Sequence, residues 1–201
     1  MIDPFLLTPL LAGLAIALLS APIGCLIAWQ RLVYFGDTVA HASLLGIVLA
    51  LVFSTAPLAG MLLVAIMIAL AVTRFADDAL LPHDSLLGIV AHASLALALV
   101  IVSKSPSITI DINGLLFGDI LATNAHDVVT LLAATAISAA IIAHQWKPLM
   151  RFILHPDIAA VEGVNPKRMR LLVMLLIALM VALSIKLVGI LLITSLLILP
   201  A

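Results

Sequence analysis

Apolar residues in this chain come in runs long enough to cross a bilayer, and that pattern limits everything else it can become. A spanning helix needs about 20 mostly apolar residues, and such runs follow one another from Phe5 to Pro200 with few charges inside them. Hydrophobic residues make up 65% of the 201 and charged residues 9%, with mean hydropathy +1.37. A soluble domain carries about 25% charged residues, and a core of this size could not hide the surplus apolar side chains. Disorder needs the opposite composition. The aromatic share of 4% is too small for the girdles of an outer-membrane barrel, whose strands alternate over segments of about ten residues. The fold class is therefore all-α: a polytopic helical membrane protein embedded in the lipid bilayer.

The runs predict about seven spans and one short helix that does not cross. The first span covers Phe5 to Trp29, bent near its end by Pro22 and closed by Gln30 and Arg31. A short amphipathic piece from Leu32 to Asp37 leads into a second span, Thr38 to Phe53. Ser54-Thr55-Ala56-Pro57 reads as a turn into the third, Leu58 to Phe75, which stops at Arg74, Asp77 and Asp78. After Pro82-His83-Asp84 a fourth span covers Leu86 to Val102. Ser103 to Ala125 holds Lys104, Pro106, Asp111, Asn113, Asp119 and Asn124 around the apolar stretch Gly114 to Leu121, which is too short to cross and reads as re-entrant or interfacial. A fifth span, Asp127 to Gln145, precedes the polar segment Trp146 to Arg170. Two final runs, Leu171 to Ile185 and Leu187 to Pro200, are divided by Lys186 and Gly189.

Basic residues orient the chain, because cytoplasmic loops retain Lys and Arg. Lys147, Arg151, Lys167, Arg168 and Arg170 share one loop, which is placed inside. Counting spans back puts Arg31 and Arg74 inside too, Lys104 outside, and Lys186 at an outer boundary where it can snorkel. Seven of the nine basic residues are then cytoplasmic, and the N-terminus is outside. Met1-Ile2-Asp3-Pro4 lacks the positive start of a secretory signal, so the first run is read as a retained span. Net charge is -1 with pI about 6.6, which points to no nucleic-acid partner. The single Cys25 cannot form an internal disulfide.

Ionisable groups inside spans are expensive and commonly mark a pathway. Asp37 and His41 stand four residues apart, so on a helix they project from one face. Carboxylate plus imidazole suits Zn²⁺ or Mn²⁺, and the lack of thiolate disfavours Cu(I). The plainer alternative makes Asp37 an N-terminal helix cap and His41 a hydrogen-bonding partner of a neighbouring helix. His92 lies well inside the fourth span, eight residues past Asp84, either packed as a buried hydrogen-bonding residue or serving the pathway. His83, His126 and His144 sit near span ends and carry no signal of their own. Gly114 and Gly118 form a GxxxG that permits close helix contact. Ala-His-Ala-Ser occurs at 40–43 and at 91–94, but the flanking order is shuffled, so it is no structural repeat. No phosphate loop, zinc-protease helix or nucleophile elbow is present, so the chain is not read as an enzyme. Active transport would draw its energy from another subunit or from an ion gradient.

Several strings resemble a known family. Tyr34-Phe35-Gly36-Asp37-Thr38-Val39-Ala40-His41-Ala42-Ser43-Leu44-Leu45-Gly46 is similar to the second-helix signature of the metal-ion ABC importer permeases, and within them to the zinc-uptake membrane subunits of Gram-negative bacteria. Asp84-Ser85-Leu86-Leu87-Gly88-Ile89-Val90-Ala91-His92, Leu116-Phe117-Gly118-Asp119-Ile120-Leu121-Ala122, and Leu187-Val188-Gly189 through Ile198-Leu199-Pro200-Ala201 agree in order and spacing. His155-Pro156-Asp157-Ile158-Ala159-Ala160-Val161-Glu162-Gly163-Val164 resembles the family's coupling segment, so Asp157, Ala159, Val161, Glu162 and Gly163 are expected to face the ATPase.

The resemblance implies one transmembrane permease domain over residues 1–201, in a bacterial inner membrane, read as lacking the roughly two C-terminal helices that family members typically carry beyond the Leu-Pro-Ala string. It implies a homodimer served by cytoplasmic ATP-binding subunits and a periplasmic metal-binding protein. The cargo would be a divalent transition metal, Zn²⁺ foremost with Mn²⁺ or Fe²⁺ as alternatives, and no permanently bound cofactor is expected. Asp37 and His41 match the pathway pair, and His92 and Asp119 fall inside matched strings as further pathway candidates. Three rivals stand beside this reading: a proton-coupled carrier with Asp37, His41 and His92 as its relay, a membrane protein of assembly or structure, and a permease for a bulky metal chelate.

Overall fold

A computed structural model describes residues 4–75, 83–105 and 112–198. In chain order these form α1 (Pro4–Gln30), α2 (Val33–Val52), α3 (Pro57–Phe75), α4 (His83–Lys104), α5 (Ile112–Phe117), a single 3-10 turn (Ile120–Ala122), α6 (Ala125–His144), α7 (Trp146–Leu154), α8 (Pro156–Val161), α9 (Pro166–Val188) and α10 (Ile190–Ile198). Among the described residues six helices are long and apolar enough to cross a membrane: α1, α2, α3, α4, α6 and α9. Asp77, Asp78, Pro82, Pro106, Asp111 and the end of the chain from Leu199 to Ala201 lie outside the described residues.

Local chemistry sets the helix ends. Arg31 at φ 54° separates α1 from α2, and Ser54 at φ 54° followed by Pro57 turns α2 into α3. Asn124 and Asp127 form a reciprocal capping box at the start of α6, which satisfies two of its orphan backbone donors. At α9 the Asn165 side chain accepts from the Lys167 and Arg168 N–H groups, and Pro166 fills the first helical position, where a missing N–H costs nothing. Gly189 at φ 78° ends α9 and starts α10.

α9 is the central post, with Val173, Met174, Ile177, Met180 and Val181 all buried. α3, α1 and α2 pack around it, α6 lies against α1, α4 lies against α2, and α10 fits between α1 and α2. The α2–α3 contact is close because both helices carry glycine there. A Cβ on Gly46 would lie 2.7 Å from the Gly60 carbonyl oxygen, so the backbones meet as small-residue membrane helices do. Leu10, Leu14 and Leu18 of α1 and Leu97 and Val100 of α4 point outward. That exposure would be a fault in water and is the ordinary surface in lipid.

Four boundaries differ from the sequence expectation. The piece Leu32 to Asp37 is no separate segment: α2 is continuous from Val33, because nothing between Leu32 and Thr38 breaks a helix. Gly114 to Leu121 is two pieces, since Gly118 at φ 69° ends α5 before Asp119 caps the 3-10 turn. The two final runs are divided by Gly189 alone, with Lys186 inside the last turn of α9. The seventh run starts at Ile190 and not at Leu187, with α10 described to Ile198.

Candidate functional site

Asp37 falls in the second turn of α2, and the helix N-cap is Leu32, with no side-chain cap bond. The capping role for Asp37 is thereby excluded, because a cap must precede the first helical residue. His41 follows one turn later, and its Nε2 lies 3.6 Å from Asp37 Oδ1. That is too long for a hydrogen bond. It is close to the spacing of two donor atoms sharing one tetrahedral ion, about 3.3 Å for bonds of about 2.0 Å. The two side chains are 35% and 41% exposed for His41 and Asp37, while Thr38, Val39, Ala40, Ala42 and Ser43 around them are buried. The pair therefore occupies the one partly open strip of an otherwise enclosed helix.

The neighbouring polar groups hold α2 in place. Thr38 Oγ1 donates to the Tyr34 carbonyl at 2.7 Å and to the Leu87 carbonyl of α4 at 3.2 Å. Ser43 Oγ donates to the Val39 carbonyl at 2.7 Å. These hydroxyls satisfy themselves on backbone carbonyls. A carboxylate facing lipid within a span is costly, up to about 3 kcal/mol at the helix centre, which argues that protein or a water-filled passage covers it.

The other candidates are elsewhere. His92 is exposed on α4, contrary to the packed alternative. Asp119 stands at the start of the 3-10 turn: its Oδ1 accepts from the Leu121 N–H at 3.0 Å and the Ala122 N–H at 3.1 Å, while its own N–H donates to the Lys186 carbonyl at 3.1 Å. Its carboxylate caps a turn. Among the described residues, no three His, Cys, Asp or Glu side chains come together as a metal cluster within one chain. Lys186, expected to snorkel, instead holds Asp127 at 2.6 Å. Gly118 meets Gly189 beside it: a Cβ on Gly118 would lie 2.5 Å from the Gly189 nitrogen. Sequence reasoning missed both contacts, since neither partner's string points to the other.

At the far end of α6 from Asp127, α7 buries Leu149 and Phe152 and leaves Trp146, Lys147 and Leu154 outside. Arg151 Nη1 lies 3.1 Å from Glu162 Oε2 and ties α7 to the end of α8. In the segment expected to meet the ATPase, Ala159 is fully buried and faces the bundle, whereas Asp157, Glu162 and Gly163 are exposed and Val161 is 90% exposed. Gly163 has φ 86° with open space around it.

Fold and site together define a multi-pass helical membrane transport protein. The profile of the ABC 3 transport family matches residues 2–201, and the chain belongs to that family. It is 38% identical over 192 residues to the high-affinity zinc uptake system membrane protein ZnuB of Haemophilus influenzae, covering 96% of this chain and 74% of that one. It is 28% identical over 196 residues to the manganese transport system membrane protein MntC of Halalkalibacterium halodurans, covering 98% and 67%. The solved structure of PsaBC from Streptococcus pneumoniae in complex with Fab shares the fold, with TM-score 0.83 at 24% identity, covering 98% of this chain and 71% of that one. The protein is thus a multi-pass membrane protein of the inner membrane.

Proposed function

We propose that this chain is the membrane permease subunit of an ABC importer that carries Zn²⁺ from periplasm to cytoplasm, with Asp37 and His41 as the ion's ligands in the pathway. The Asp37–His41 spacing on the open strip of α2 carries this reading. Similarity to zinc-uptake membrane subunits over nearly the whole chain supports the choice of Zn²⁺, and similarity to manganese-transport subunits keeps Mn²⁺ as the second cargo.

Two donors per chain suit a carrier. Four protein ligands would make a structural trap, whereas two from each of two copies could form a site in one conformation and open it in the next. A homodimer is therefore part of the proposal, with residues 1–201 forming one permease domain in each copy. Ligands must be deprotonated to bind, so His41 acts as neutral imidazole. The chain performs no hydrolysis itself. Cytoplasmic ATP-binding subunits seat against α8, where Ile158 and Val161 project and the Arg151–Glu162 pair holds the segment to α7. A periplasmic metal-binding protein delivers the ion at the opposite face.

The proton-coupled carrier reading predicts a different energy source. Vesicles holding the full-length protein and its ATPase should take up Zn²⁺ on internal ATP with the proton gradient collapsed. Uptake that follows the proton gradient and ignores ATP would replace the ABC reading with the carrier.

A further inference from the structure

The Asp127–Lys186 pair joins the first turn of α6 to the last turn of α9, so the two helices are antiparallel and tied at that end. Towards the other end a groove of about 330 Å³ runs between them. Its walls are Leu171, Leu172, Leu175, Leu176 and Leu179 of α9 and Ile141 of α6, and Arg168 stands at its mouth. Arg168, Leu171, Leu172, Leu175 and Leu179 recur at the spacing of one helix face. The trough therefore follows α9 lengthwise, with a cation at one end and aliphatic side chains below it.

The dimensions are those of one lipid leaflet. At 1.5 Å per residue, Arg168 lies about 27 Å from Lys186 along α9. That is close to the hydrocarbon thickness of about 30 Å, so both cations sit at headgroup level. From Arg168 to Leu179 is about 16 Å, half of that thickness and the reach of an acyl chain whose phosphate rests at the boundary. Charge fits as well. Arg168 is exposed, and no carboxylate pairs with it among the described residues, whereas Arg151 is held by Glu162. Lys167 and Arg170 stand in the same turn. A guanidinium takes phosphate oxygens in a bidentate grip, and basic pockets between membrane helices recognise anionic headgroups. A choline headgroup would bring its own cation against Lys167 and Arg170.

We infer that the groove between α6 and α9 binds one anionic phospholipid, with its phosphate on Arg168 and an acyl chain along Leu171, Leu175 and Leu179. The lipid fills the trough between the two helices and ties the start of α9 to the bilayer surface. The site is independent of Asp37 and His41 and of which ion is carried.

The test is thermal unfolding of the full-length protein in non-ionic detergent, with dioleoyl phosphatidylglycerol, dioleoyl phosphatidylcholine or inorganic phosphate added. Phosphatidylglycerol should raise the melting temperature in a saturable way, as a ligand of the folded state does. Phosphatidylcholine at the same concentration should raise it much less, and inorganic phosphate not at all. Arg168→Gln should need about tenfold more phosphatidylglycerol for the same rise, the loss of one charge-assisted hydrogen bond, and Arg168→Lys should recover part of the difference. Equal responses to the two lipids, a rise with inorganic phosphate equal to that with phosphatidylglycerol, or an unaltered response in Arg168→Gln would each overturn the inference. So would a wild-type protein that responds to no lipid, the result expected if another helix of the full-length chain fills the groove. Without lipid, Arg168→Gln should melt with the wild type, because the α9 cap uses the Arg168 backbone N–H and not its side chain. If it melts lower, Leu175→Trp, which blocks the trough and keeps the charge, decides the matter: it should abolish the response to phosphatidylglycerol, and a retained response would overturn the site.

Discussion

Lys186 Nζ lies 2.6 Å from Asp127 Oδ2, joining the last turn of α9 to the first turn of α6. The same carboxylate accepts from the Asn124 N–H at 3.1 Å. The two residues therefore differ in what they support. Lys186→Met removes only a half-exposed ion pair and should cost at most about 1 kcal/mol. Asp127→Ala removes the ion pair and half of the capping box, and should cost about 1–2 kcal/mol. Thermal unfolding of the purified protein in detergent checks the order; equal losses would show that the cap contributes nothing.

Gly46 and Gly60 should be the least tolerant small residues of the bundle. A Cβ on Gly46 meets the Gly60 carbonyl oxygen and Met61 Cα, both at 2.7 Å, so Gly46→Ala must push α2 from α3 and should cost about 1–3 kcal/mol. Gly13→Ala is the control. Its Cβ would make ordinary contact with Ile120 Cδ1 at 3.7 Å, and removing a helical glycine should gain about 0.5–1 kcal/mol. Unfolding midpoints moving in opposite directions would confirm the contact.

What could be read from the sequence follows from which forces are local. Span positions, the turn at Ser54 and the non-crossing segment near Gly118 were legible because hydropathy, glycine and proline act where they stand. Asp37 and His41 were legible through cost and helical spacing. The start of α2 was misplaced because Gly36 and Asp37, both poor helix formers, looked like a boundary, although burial of Phe35, Thr38 and Val39 holds the helix through them. The Lys186–Asp127 pair joins residues 59 apart, and the glycine contacts depend on how helices cross, so no string announces either. Ala159 was grouped with the ATPase-facing residues because a run of small residues cannot reveal which side of a one-turn helix packs inward.

The α8 segment should therefore divide into two behaviours. Ala159 is fully buried, so Ala159→Leu should overpack the site and lower the yield of folded protein. Val161 is almost wholly exposed, so Val161→Glu should leave the melting temperature unchanged and weaken co-purification with the ATPase. Loss of folding in Val161→Glu, or normal folding in Ala159→Leu, would reverse the assignment.

Orientation is checked by labelling with impermeant thiol reagents in a Cys25→Ser background. Lys104→Cys at the end of α4 should react from the periplasmic side. Lys167→Cys at the start of α9 should react only after the membrane is opened. Labelling of both from one side would contradict the arrangement of α4, α6 and α9.

The central claim is that the ion passes between Asp37 and His41. Asp37→Asn keeps the shape of the side chain, and α2 starts at the Leu32 cap and not at Asp37, but it removes the charge that a divalent cation needs. The decisive measurement is the initial rate of ATP-driven Zn²⁺ uptake by Asp37→Asn in vesicles, with ATP hydrolysis recorded alongside. The account predicts that uptake falls at least about a hundredfold, the upper range for loss of a metal-site partner, while basal ATP hydrolysis persists. Zinc uptake at the wild-type rate would remove Asp37 from the pathway and contradict the account.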